Sequence, residues 1–127
     1  MTEAQKLSLL LAIADRAIEA ERCKFARRYS QDALNAAYAD WKQKNGIHDH
    51  IEAGSPEWTA MLAATNRDYE AVEDAKRLER NADKRLRSAI YKYHRIADAD
   101  RANSAGLPPV EHDNRADTAE ILADQRP

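Results

Sequence analysis

The residues best suited to chemistry stand in one short stretch, His48-Asp49-His50, with Glu52 just beyond. Imidazole and carboxylate together suit zinc or nickel. Three adjacent loop residues seldom converge on one ion, and a structural zinc wants four ligands. The same groups could serve as a general acid and base, but nothing nearby implies a pocket around them. Polar loop filling is the better reading, so no metal and no cofactor is expected. Cys23 is the single cysteine, which leaves no intrachain disulfide or cysteine-based zinc site and suggests a reducing compartment. With no Gly-rich phosphate loop and no nucleophile motif, the chain is not expected to be an enzyme.

Charge offers a different chemistry. Residues 76–95 carry eight bases and two acids, net +6. Arg77, Arg80, Lys84, Arg87, Tyr91 and Arg95 fall at helical spacing along one ridge. Such a ridge suits an acidic protein surface. It also suits a phosphate backbone, with Tyr91 available to stack on a base. The bland alternative is a solvated face supported by pairs such as Glu73–Arg77 and Asp83–Arg87. Residues 98–127 hold seven acids and three bases, net −4, so charge segregates along the chain. The overall balance, 20 Lys+Arg against 22 Asp+Glu, excludes a globally basic nucleic-acid binder.

The elements that must position these groups are helices. Of 127 residues, 25 are alanine and only 13 are β-branched, with three glycines and four prolines. Alanine is the best helix former, and a many-stranded fold needs more turns than this chain can make. No Gly or Pro interrupts Met1 to Asn45, and Asn45-Gly46 is a C-terminal cap pair. The first helix is therefore expected over 3–44, with a loop at 45–55. Ser55-Pro56-Glu57 supplies a capping hydroxyl, a proline where no N–H is needed, and an acid for the helix dipole. A second helix, expected to run unbroken over 56–99, matches the first in length. The short loop makes an antiparallel hairpin the economical topology, with Trp41 and Trp58 near the turn. Residues 100–127 read as a mostly irregular acidic tail, with a short helix at 118–124.

Helix one has two apolar sides. Leu7, Leu11, Ala14, Ile18, Phe25, Tyr29, Ala33 and Ala36 form one stripe, interrupted by Arg22, which is expected to pack in the hairpin. Leu9, Ile13, Ala20, Cys23, Leu34, Tyr38 and Trp41 project from roughly the opposite side. A hairpin buries one side of each helix, so this second set is the expected self-association face, most sharply at Leu9, Ile13, Leu34, Tyr38 and Trp41. On helix two the stripe is Trp58, Met61, Leu62, Tyr69, Val72, Ala75, Leu78, Ala82, Leu86, Ala89, Ile90, Tyr93 and Ile96.

These observations define an all-α protein, a helical hairpin assembled into a dimeric four-helix bundle or coiled coil. The expected function is non-enzymatic: binding a protein partner as an adaptor or inhibitor. Size and type also fit a small phage accessory protein that blocks a host factor. The alternative is a nucleic-acid-binding helical protein using the Arg77–Arg95 ridge. The apolar run Leu7–Ala14 is far short of the ~20 residues that span a bilayer, and the N-terminal residues lack the basic start of a secretory leader. No membrane is expected among the partners, and the location is read as cytoplasmic.

Overall fold

The computed structural model describes residues 1–104. Among them every regular element is helical: α1 (Glu3–Lys44), α2 (Pro56–Ala64) and α3 (Asn66–Ser104). The short helix expected at 118–124 and most of the acidic segment lie outside the described residues.

Local chemistry accounts for the helix ends. At the start of α1 the Gln5 N–H donates to Thr2 Oγ1 at 3.1 Å, and the Thr2 N–H donates to Gln5 Oε1 at 2.8 Å. This reciprocal exchange is a capping box, and it satisfies two N–H groups that the helix cannot. At the other end Gly46 takes φ +65°, a conformation that costs a residue without Cβ little. The Ile47 N–H then reaches Lys42 O at 2.9 Å, and the Gly46 N–H reaches Gln43 O at 3.2 Å. Together these form a Schellman closure. Ser55 caps α2 by accepting from the Trp58 N–H at 3.2 Å.

The second helix is not continuous. It breaks at Thr65, with φ −108° and ψ 13°, in the sparsely populated bridge region. Thr65 Oγ1 donates to the Met61 carbonyl at 2.7 Å, alongside the Thr65 N–H at 3.0 Å. A threonine hydroxyl on the i−4 carbonyl draws that carbonyl off the helix axis and bends the helix. Tyr69 N–H still donates to Thr65 O at 3.0 Å, so the interruption is a single residue. The helix that follows runs to the last described residue, past the boundary expected at 99.

Two compact units make up the chain. In one, residues 1–18 lie with residues 82–104. The Met1 ammonium donates to Asp100 Oδ1 at 2.5 Å, and Ala82 is almost fully buried. In the other, residues 19–81, the core is Ala20, Leu34, Ile51, Met61, Val72 and Ala75, with Thr65 as its buried polar member. There Arg27 of α1 donates from Nε to Glu79 of α3.

Burial in the single chain distinguishes the two sides of α1. Leu34 is 4% exposed, Ala20 is buried, and Leu9, Ile13, Cys23, Tyr38 and Trp41 are half-buried. Arg27, which reaches Glu79, projects from this same side. The side expected to self-associate is thus partly covered within the single chain. Leu7, Leu11, Ile18, Phe25 and Tyr29, assigned to the hairpin core, are exposed instead. Both sets hold small residues and rings, Ala20, Cys23, Tyr38 and Trp41 on the inner side and Ala14, Ala33, Ala36, Phe25 and Tyr29 on the outer, so side-chain size does not separate them. On α2 and α3, Met61, Val72, Ala75 and Ala82 are buried as their spacing suggests, whereas Leu62, Tyr69 and Leu78 are exposed.

Candidate interaction surfaces

The ridge residues are all carried on α3, which places them at successive turns. Arg77, Arg80, Arg87 and Arg95 are exposed, and Lys84 is half-buried. Arg77 and Arg80 belong to the unit of residues 19–81; Lys84, Arg87, Tyr91 and Arg95 belong to the other. The local acid partners differ from the i,i+4 pairs expected for Glu73 and Arg77. Glu73 meets Lys76 Nζ at 3.4 Å, and Arg77 Nη2 meets Asp74 at 3.4 Å. Both are surface pairs one turn apart and contribute little to stability. Arg80, Lys84 and Arg95 make no ion pair among the described residues. Tyr91 is half-buried, and its hydroxyl, withdrawn from solvent, has no hydrogen-bond partner among the described residues.

The loop chemistry stays dispersed. His48, Asp49, His50 and Glu52 are all exposed, and no group of three or more potential metal ligands gathers among the described residues. Loop position Ile51, between them, is buried instead. Sequence reasoning passed over it because a lone isoleucine in a polar loop has no periodic partner. It also passed over the Thr2–Gln5 capping box, whose Thr-x-x-Gln spacing is readable.

A groove opens between the first turns of α1 and the last turns of α3. Leu9, Ile96 and Ala99 line it with apolar surface, and Lys92, Arg95 and Asp100 supply charge. No sequence signal marks it, because it exists only where residues some ninety positions apart come together. Among the described residues, no helix is long and apolar enough to cross a membrane.

The other broad surface is the outer side of α1. Leu7, Leu11, Ile18 and Phe25 are each more than half exposed, and Tyr29 is 78% exposed. Scattered surface leucines are ordinary; here the large apolar side chains stand in a row on one helix face, which makes it a candidate contact surface. Comparison with protein-family models, with curated proteins and with solved structures finds no match, so the surfaces of the chain carry its functional reading.

Proposed function

We propose that this chain is a non-enzymatic helical interaction protein that binds a protein partner of acidic surface through the ridge on α3, as an adaptor or inhibitor. One observation carries the reading: Arg80, Lys84 and Arg95 share a helix face and make no ion pair among the described residues. Like charges at i,i+3 and i,i+4 repel by a few tenths of a kcal/mol per pair, and an anionic partner relieves that repulsion. In this reading α1 and α3 run antiparallel as a hairpin, in line with Arg27 on Glu79 and the Met1 ammonium on Asp100. Two hairpins associate as a homodimer in a reducing, cytoplasmic setting, to which the lone, half-buried Cys23 is suited.

The test compares the wild-type protein with the triple variant Arg80→Ala, Lys84→Ala, Arg87→Ala. Alanine is the better helix former, so helicity and melting temperature stay nearly unchanged. Affinity for the partner recovered from the native host falls at least tenfold, which requires only ~1.4 kcal/mol. Binding that survives the triple change means the ridge is a solvated face. The second reading, nucleic-acid binding, rests on the net positive run of residues 76–95. It requires affinity for duplex or single strands that falls steeply with salt as counterions are released.

A further inference from the structure

The outer face of α1 has a symmetry that bears on what covers it. Counted from Ile18, Ala14 and Arg22 lie four residues to either side, Leu11 and Phe25 seven, and Leu7 and Tyr29 eleven. At 3.6 residues per turn, steps of four, seven and eleven keep all of these on one face. The spacing reads the same in both directions along the helix, with large apolar residues at the seven- and eleven-residue steps and Ala14 opposite Arg22 at the four-residue step. A face of this kind is complementary to its own copy turned end for end, the arrangement that an isologous two-fold contact requires.

We infer that α1 docks antiparallel on α1 of a second copy of this chain, with the two-fold axis at Ile18. Ile18 then meets Ile18 of the other copy. Leu11 meets Phe25, and Leu7 meets Tyr29, each pair occurring twice. Ala14, the small residue, faces Arg22, the large one. The Arg22 guanidinium extends past Ala14 to the neighbouring Asp15. Asp15 and Arg22 are both exposed, and neither forms an ion pair among the described residues. Seven residues apart on one helix, about 10 Å along its axis, they do not meet within a chain.

Charge decides the orientation. A parallel pairing of the same face would set Arg22 against Arg22 and Asp15 against Asp15, repulsion at two levels of the seam. The antiparallel pairing exchanges both repulsions for attractions. Size is adequate as well. Covering the exposed parts of Leu7, Leu10, Leu11, Ile18, Phe25 and Tyr29 on two copies removes on the order of 1,000 Å² or more from water, within reach of specific interfaces. This inference deepens the homodimer part of the proposed function and is independent of the ridge on α3.

The experiment is sedimentation equilibrium of the full chain at micromolar concentrations, with circular dichroism to confirm folding. The wild-type protein sediments as a dimer. The double variant Leu11→Glu, Ile18→Glu sediments as a monomer with unchanged helicity, because both positions are more than half exposed in the single chain. Asp15→Arg or Arg22→Asp alone weakens the dimer at least threefold, and the two together restore it. A wild-type monomer at 100 µM overturns the inference. So does a dimer indifferent to Leu11→Glu, Ile18→Glu, which would place the contact on another face. A double reversal that fails to recover what each single one loses overturns the antiparallel register. Loss of ridge binding with an intact dimer, or the converse, separates this inference from the ridge proposal.

Discussion

Thr65 shows how one side chain redirects a helix. It is 3% exposed, and both its N–H and its hydroxyl donate to the Met61 carbonyl. That carbonyl has two lone pairs, so the hydroxyl takes the second one while the N–H keeps the first, an arrangement that bends helices. Replacing Thr65 by Val keeps the shape and the N–H contact but deletes the hydroxyl bond. The expected loss is about 1 kcal/mol, the usual net worth of one such bond. In a chain of this length that lowers the melting temperature by roughly 4 °C. An unchanged thermal transition would show that the hydroxyl bond adds nothing to stability. Ala82, 1% exposed, is a second residue whose size matters: the space against it accepts a methyl group and little more.

At the scale of elements, the helices are defined by their ends. Thr2 with Gln5 opens α1, Gly46 closes it, and Ser55 with Pro56 opens α2. None of these contacts depends on distant parts of the chain, which is why the caps at Asn45-Gly46 and Ser55-Pro56 are legible in the sequence. The Thr65 break is not, since threonine is compatible with a helix interior and bends it only when its hydroxyl turns back to the i−4 carbonyl. The Ser55 cap allows a direct measurement. Ser55→Ala removes the acceptor for the Trp58 N–H and is expected to destabilise the fold by about 1 kcal/mol, read from the denaturant midpoint. Ser55→Asp, which retains an acceptor and adds charge at the N-terminal end of the dipole, should preserve the wild-type midpoint. Equal midpoints for Ser55→Ala and the wild type would show that tertiary contacts alone hold α2.

The whole molecule separates its surfaces by chemistry. The outer side of α1 is apolar with a central Asp15 and Arg22, and α3 carries the basic ridge. If the apolar face closes on a second copy, folding and association are linked. Anything that binds the native state alone raises apparent stability with its concentration. The wild-type melting temperature should therefore rise as the protein is concentrated a hundredfold, while that of Leu11→Glu, Ile18→Glu should not move. A concentration-independent wild-type transition in scanning calorimetry would contradict the linkage.

Composition and spacing by themselves determined that this chain is helical, where its first helix ends and where its second begins. Those properties rest on contacts within about five residues, between groups whose types are written side by side. The basic run on α3 is likewise legible, because it needs only the helical repeat to become a ridge. Tertiary structure alone decided which side of α1 faces inward. Both sides carry apolar residues at helical spacing, so periodicity assigns them equal standing. The choice is made by what each side meets in the folded chain: Ala20 and Leu34 are buried on one side, and Arg27 on that same side finds Glu79. Phe25 and Tyr29 are left on the surface, where only the geometry of the folded chain reveals them as a face.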